Sequence, residues 1–470
     1  MTTNPRKWDE PADAIPGRWG PRGYTPGRAK RPLGPRASVP ARLLAALRHL
    51  TRRTWAGLAA ASPIVPVAVV ALVLVATAWI YYVRFDFAHQ PWGVGHHAAA
   101  VPVWLAFNDL GSTWAARIGD QADAVAVSGY DGQYYFYLAQ DPAVMSACAH
   151  GRAHGRAHCP IDASPLREQR ILYPMTARLL TLGNLRGLHV ALFVIDFAAI
   201  LLSALLVGQL CVVAGASRWL GAAAAIYVGE LQGLVRDLAD PYAVFWVVLA
   251  VYFLRKDRPL RCAAAVAAAL LTREQLVLAL PLLVLPLLAR RQWGTAALFL
   301  GIALGPFVAW QAILRAIFGY LGLQGSFATT DGVHLPFTGL WAQRFTSEFG
   351  DMIAFVAIPL VAAAIVAIAW MRRHVMSPLA HEPSGLRLRA LWTRLAGDPV
   401  PLIVLVGAVL ATLTAAHEWE GPWASARLVA PFVVLAVVVA CEVAAPLRRS
   451  YVALVATTAV ATLVIPPLLF

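Results

Sequence analysis

Apolar runs close to the length of a bilayer crossing recur along this chain from residue 57 to residue 469, and no other feature constrains its fold as strongly. A helix needs about 20 apolar residues to cross the hydrocarbon core. Backbone N–H and C=O groups find no water there, so a crossing segment must satisfy them within itself, as a helix does. The runs fall at roughly 57–81, 187–213, 218–235, 240–254, 260–272, 276–289, 294–318, 351–370, 400–416, 428–446 and 451–469. A soluble fold of this size would not be 59% hydrophobic and 14% charged with a mean hydropathy of +0.63. The expectation is an all-α polytopic membrane protein of about eleven transmembrane helices.

The net charge of +14 is placed between the apolar runs, which makes it a topology signal and argues against a nucleic-acid surface. Residues 1–56 carry twelve Lys and Arg against three acids, with frequent Pro and Gly, and read as a disordered, basic, cytoplasmic tail. The first apolar run starts too late and runs too long for a secretory signal peptide. With the tail inside, alternation leaves Arg218, the "RKDRPLR" run (255–261), Arg290 with Arg291, the 371–399 loop and Arg448 with Arg449 inside as well. The opposite connections are more acidic or mixed. The first of them, to Arg170, has eight acids against six arginines. Three regions follow: the tail 1–56, a transmembrane core 57–318 that includes a large extracytoplasmic loop 82–186, and C-terminal helices with outer loops over 319–470.

The runs 240–254, 260–272 and 276–289 are short for a crossing. Joining 260–289 into one helix would put Arg258 and Arg261 on the side opposite Arg290 and Arg291; a hairpin keeps all four together. Its tip would be "LTREQ" (271–275), where Arg and Glu below the surface need a watery or protein-lined cavity.

In the large loop, "SGYDGQYYFYLAQDP" (128–142) places an Asp-Gly pair before four aromatics. As an amphipathic helix it would lie in the membrane interface, where Tyr and Trp are favoured, and Asp131 could be no more than a cap. Farther along, Cys148 and Cys159 flank "AHGRAHGRAH", a pair that an extracytoplasmic loop would allow to oxidise. His150, His154 and His158 recur every four residues, a spacing open to a metal, although the repeated unit reads more simply as a tandem expansion. Cys211, Cys262 and Cys441 fall in apolar runs and read as packed thiols.

With this topology the polar groups converge on the outer side: Asp131, "REQRILYP" (167–174), "VRDLADP" (235–241), Arg273 and Glu274, "HEWEGP" (417–422) and Arg427. A carboxylate can take the proton of an acceptor hydroxyl, and arginines can hold a leaving phosphate through paired contacts. In a partly dry site such donors act most strongly. Each residue also has a plainer reading. Arg170 and Arg427 could anchor to lipid phosphates, Arg236 could pair with Asp237, Arg273 with Glu274, and His417, Glu418 and Glu420 could be solvated.

Four stretches carry a resemblance: "GYDGQYYFYLAQDP", "QRILYPMTARLLTLG", "RDLADPYAVFW" and "ALLTREQLVLALPLLV". In order over roughly 125–290, they resemble a bacterial group of GT-C type integral membrane proteins with YDGQ, RILYP and LTRE motifs; only "EGPWASARLVAP" does so in the C-terminal third. That superfamily includes polyprenyl-phosphate-sugar dependent glycosyltransferases, such as protein mannosyltransferases and lipid A aminoarabinose transferases. The resemblance implies a cytoplasmic N-terminus, a bacterial inner-membrane location and a first extracytoplasmic loop that bears the catalytic acid and interfacial helices. Asp131 matches that acid, and Arg273 matches a basic residue near the donor phosphate. Many GT-C enzymes have paired acids in the first loop; here Asp-Gly replaces the pair and leaves a divalent metal open.

The expected function is therefore transfer of a sugar from a polyprenyl-phosphate donor to an acceptor on the extracytoplasmic face. Asp131 would be the base, and Arg273, Arg170 and Arg427 would hold the donor phosphate. Tyr130, Gln133, Tyr134, Asp237, Asp240, Glu274 and Glu418 would line the substrate site. Two other classes remain: a transporter or flippase of a lipid-linked or small solute, and a non-catalytic envelope-assembly scaffold.

Overall fold

The structure is a computed structural model that describes residues 62–87, 131–142, 167–319, 321–323, 335–346, 349–413 and 422–464. The basic tail and the Cys148–Cys159 segment lie outside the described residues. Among the described residues the chain is helical, without a strand.

Each expected apolar run coincides with helical structure. In chain order, the main helices are α1 (Ile64–Phe87), α2 (Asp131–Gln140), α3 (Leu172–Leu180), α4 (Leu185–Val213), α5 (Trp219–Ala225), α6 (Val228–Val235), α7 (Ala239–Arg255) and α8 (Pro259–Thr272). They continue as α9 (Leu285–Ala289), α10 (Trp293–Phe318), α11 (Phe349–Leu379), α12 (Arg387–Gly397), α13 (Val400–Thr412), α14 (Pro422–Ala440) and α15 (Ala445–Val464). Among the described residues three helices are long and apolar enough to cross a membrane: Gly187–Val213 within α4, α10, and α11. A fourth crossing arises if α12 and α13, bent 84° from each other, count as one broken span. Four shorter apolar helices accompany them: Ile64–Trp79, Pro259–Thr272, Leu280–Ala289 and Ser425–Ala440.

The run at 218–235 is two short helices, α5 and α6, because the helix stops at Ile226 and restarts after Tyr227. The run at 260–289 does form a hairpin. Helix α8 ends at Arg273, whose extended backbone (φ −148°, ψ 103°) starts a 3-10 stretch, Glu274–Leu278. The two ends of the hairpin meet again, since Arg258, Pro259, Pro286 and Arg290 line one cavity. The Arg290 guanidinium also pairs with Asp257 at 2.7 Å.

Helix α14 is the centre of the main core, buried on every side from Ser425 to Cys441. A helix apolar all round belongs inside, and here α6, α7, α11, α13 and α15 surround it. By contrast, α1 and α10 leave Ile64, Leu72, Leu298 and Val308 exposed, the pattern of helices whose outer faces meet lipid. Close helix approach depends on small residues. A Cβ at Gly229 would strike the Ala426 carbonyl of α14, and one at Gly221 would strike the backbone of Ala204 and Gly208 on α4. Cys211 and Cys441 are buried free thiols with sulfurs 2.8 Å apart, and Cys262 is buried in the same core.

Gly229→Ala must push α6 away from a backbone carbonyl and is expected to destabilise the protein by about 1–3 kcal/mol. Gly301→Ala, on α10 with no atom within 4 Å of the new Cβ, is the matched control. Thermal unfolding of the detergent-purified variants checks this; equal stability of the two would refute the close contact.

Candidate functional site

The aromatic stretch does not lie in an interface. Tyr134, Tyr135, Phe136, Tyr137, Leu138 and Ala139 of α2 are each at most 2% exposed, packed on α3, α4 and Leu238. This corrects the expectation of an interfacial helix at this point: a helix apolar on all sides is buried by protein, not laid on a surface. The Asp-Gly pair has a steric reason. A side chain at Gly132 would overlap the Arg236 carbonyl and crowd that of Asp237, so only glycine lets the first turn of α2 rest on the 236–237 corner. At the other end, Arg178 on α3 donates to the carbonyls of Ala139 (2.9 Å) and Gln140 (2.5 Å). The last carbonyls of a helix lack intrahelical partners, and a basic side chain there satisfies them and suits the helix dipole. Helix α2 is thus held at both ends, with Asp131 as its first residue. The side chains of Asp131 and Gln133, and all of Tyr130 and Glu418, lie outside the described atoms.

Behind α2 is a chain of buried polar contacts. Arg170 donates through Nε and Nη2 to the two oxygens of Glu274, both at 2.9 Å, and through Nη1 to the Tyr135 hydroxyl at 3.1 Å. Tyr135 meets Tyr173 edge to face at 5.4 Å, and Tyr173 donates to Asp196 Oδ2 at 2.7 Å. The Arg167 guanidinium lies 4.6 Å from the centre of the Tyr134 ring, a cation–π contact. Arg170 and Glu274 are 5% and 1% exposed, so this pair works at low dielectric. Burial alone would push the Glu274 carboxyl up; the Arg170 guanidinium, its hydrogen bonds and the Arg273 charge outweigh it and hold Glu274 below its ordinary value.

The second group is built on the 236–241 corner. Asp237 has a left-handed backbone (φ 50°) and is fully buried, an arrangement that costs about 1–3 kcal/mol and recurs at functional sites. Gly233 lets the Pro241 ring close over α6, which fixes the start of α7. Asp240 in that first turn forms an ion pair with Arg273 (Oδ1 to Nη1, 2.8 Å) and lies 3.6 Å from Arg427 Nη1 through Oδ2. The latter is a charge contact rather than a hydrogen bond. Arg273 and Glu274, neighbours in sequence, therefore take different partners instead of pairing with each other.

Two acids were missed by reasoning from motifs. Asp196 of α4 and Glu230 of α6 are buried to 0% and 1% exposure, and neither Glu230 oxygen has a hydrogen-bond partner among the described residues. Gly229 against Ala426 places Glu230 one residue from a tight α6–α14 contact, beside the helix that bears Arg427. The available signal was a lone acid inside an apolar run, "FVIDFAAI" and "YVGELQGLV". Among the described residues no group of three or more His, Cys, Asp or Glu has the arrangement to hold a metal ion.

The structure thus pairs Arg170 with Glu274 and sets Asp240 against Arg273 and Arg427, the two groups adjoining through the neighbours Arg273 and Glu274, while Tyr134 lies against Arg167 and Gly132 rests on the Asp237 corner. No protein-family model, curated protein or solved structure matches the chain.

Removing one partner of the Arg170–Glu274 pair leaves a buried charge and is expected to cost about 3–5 kcal/mol, whereas Arg170→Met with Glu274→Leu should retain more of the wild-type stability than either single change. Because Glu274 is held below its ordinary value, the stability it contributes is complete above about pH 4.3 and is lost as pH falls through the folded value. Thermal unfolding of wild type and Glu274→Gln against pH reads both effects. A variant with the same acid dependence as wild type would show that the pair carries none of it.

Proposed function

We propose that this is an integral membrane glycosyltransferase that moves a sugar from a polyprenyl-phosphate donor to an acceptor hydroxyl on the extracytoplasmic face, with about eleven crossings and a cytoplasmic N-terminus. The observation that carries the reading is the buried pair of arginines, Arg273 and Arg427, both facing Asp240, three residues after the Asp237 corner on which Gly132 of α2 rests. Guanidiniums fixed at a nearly dry position are donors suited to the oxygens of a phosphate.

In this mechanism Asp131 takes the proton of the acceptor hydroxyl while its oxygen attacks the anomeric carbon. The bond from that carbon to the phosphate oxygen breaks, and the polyprenyl phosphate departs with the electron pair, its charge met by Arg273 and Arg427. Displacement on the opposite face inverts the anomeric centre. Arg170 and Glu274 take no part in holding phosphate, since Arg170 already donates to Glu274 and Tyr135; they position α2. Tyr134, packed under Arg167, also belongs to that frame. Tyr130, Gln133, Glu418 and the Asp237 corner would line the sugar and acceptor. A divalent metal remains compatible with this chemistry as an additional charge acceptor.

A second reading draws on Asp196 and Glu230, acids buried within helices α4 and α6, which suit transport of a lipid-linked or small solute coupled to proton or cation movement.

Asp131→Asn is expected to lower sugar transfer by at least 100-fold, the usual scale of general base catalysis, with donor binding retained. Arg273→Ala is expected to weaken binding of undecaprenyl phosphate about tenfold or more, as loss of a charge-assisted contact does. Transfer of labelled sugar from a polyprenyl-phosphate donor and thermal-shift titration with the lipid phosphate measure these. Full transferase activity in Asp131→Asn would remove the base assignment. Solute uptake into proteoliposomes that Glu230→Gln abolishes, with no chemical change to the solute, would favour the transporter.

A further inference from the structure

The end of the bundle opposite the arginine cluster carries structure that the transferase reading does not use. Asp240 and Arg255 sit at the two ends of α7, about 22 Å apart at the rise of an α-helix. Beside Arg255 is a cavity of about 210 Å3 between the α7–α8 turn, the end of the hairpin at α9 and the Gly397–Asp398 junction of α12 and α13. We propose that this cavity seats the phosphate of an anionic membrane phospholipid, held by Arg258 and Arg290.

The charges there divide into engaged and available ones. Arg255 is committed to Asp398 (2.6 Å) and Glu442 (2.7 Å) and braces the wall. Arg394 pairs with Glu382, and Arg387 donates to the Glu382 carbonyl. Arg258 lines the cavity, and among the described residues no hydrogen bond or ion pair engages its guanidinium. Arg290 also lines it and, among the described residues, pairs with the exposed Asp257 alone, an exposed pair of the kind worth about 0–1 kcal/mol and easily exchanged for phosphate. Lys256, Arg261 and Arg291 add positive charge within one turn of the lining residues.

The occupant is a lipid rather than a soluble phosphate for two reasons. Leu254, Leu283 and Leu287 form an apolar wall on the same cavity. Next to it, α12 turns 84° away from α13, carries Arg387, Arg389 and Arg394, and leaves Leu388 82% and Trp392 46% exposed. A basic helix set across the end of an apolar one, with Leu and Trp exposed, is suited to lie in the headgroup layer. Basic pockets at such a level take phosphate headgroups. This inference uses no residue of the transferase site.

Native mass spectrometry of the full chain in detergent, titrated with phosphatidylglycerol or phosphatidylcholine, tests it. Wild type is expected to retain phosphatidylglycerol preferentially, and Arg258→Gln with Arg290→Gln to weaken that retention about 30-fold, from the contribution expected of two basic residues. Lys256→Gln with Arg449→Gln removes the same charge outside the cavity and should weaken retention several-fold less than the cavity variant. Equal loss in the two double variants, or no preference over phosphatidylcholine, would overturn the site in favour of diffuse surface charge. Displacement of the lipid by millimolar inorganic phosphate would overturn the lipid assignment in favour of a soluble phosphate. Monodispersity of each variant confirms that the fold persists.

Discussion

The architecture depends on how charge is buried between apolar helices. Removing a carboxylate or a guanidinium from water costs several kcal/mol even after relaxation, so such groups persist inside only when geometry returns most of that energy. Here the return comes from a two-pronged Arg170–Glu274 contact and from Asp240 between Arg273 and Arg427. These five side chains sit at the ends of four elements. Arg170 precedes α3, Arg273 and Glu274 follow α8, Asp240 opens α7, and Arg427 lies in the second turn of α14. The ion pairs can form only if those ends converge. Convergence in turn requires backbones to come closer than side chains allow, which Gly132, Gly229 and Gly233 permit. The charges, the glycines and the helix ends form one interdependent set.

Within that set the two groups differ in what remains available. Arg170 donates through three nitrogens to Glu274 and Tyr135, and its task is to hold α2. Arg273 pairs with Asp240 through one nitrogen of a planar fork, a geometry that also matches phosphate oxygens. Helix α2 touches the first group through Tyr135 and the Asp237 corner through Gly132, and is fixed by Arg178 at its end. The backbone at that start is therefore held within a narrow range of positions.

Much of this was legible in the sequence, for identifiable reasons. Apolar runs located the helices because burial and lipid exposure both select the same side chains. The break at Arg273 followed from requiring four arginines on one side. The partners could not be read. Whether Arg273 meets Glu274 or Asp240 depends on an extended backbone at one residue, and sequence spacing does not determine it. The aromatic run was misplaced because an amphipathic surface helix and a small helix buried on all sides share the same residue types; tertiary contact decides between them. Glu230 and Asp196 escaped because neither belongs to a recognisable motif, although a lone acid among apolar residues is itself a signal.

The placement of Arg427 has a cause at the far end of the molecule. Helix α7 meets α14 through Asp240 and Arg427 at one end, and through Arg255 and Glu442 at the other. In each chain segment the two charged residues are fifteen positions apart, so the segments run side by side in the same direction with matched rise. On α7 the acid is at the N-terminus and the base at the C-terminus, the arrangement that the helix dipole favours. Trp370 of α11 donates to the free oxygen of Glu442 at 2.7 Å and steadies the distal contact. Two helices pinned at both ends cannot slide by a turn without breaking both ion pairs. The 3.6 Å separation between Arg427 and Asp240 is then tied to the whole length of the two helices. The stiffness of the Asp240–Arg427 contact thus comes in part from a clamp about 22 Å away.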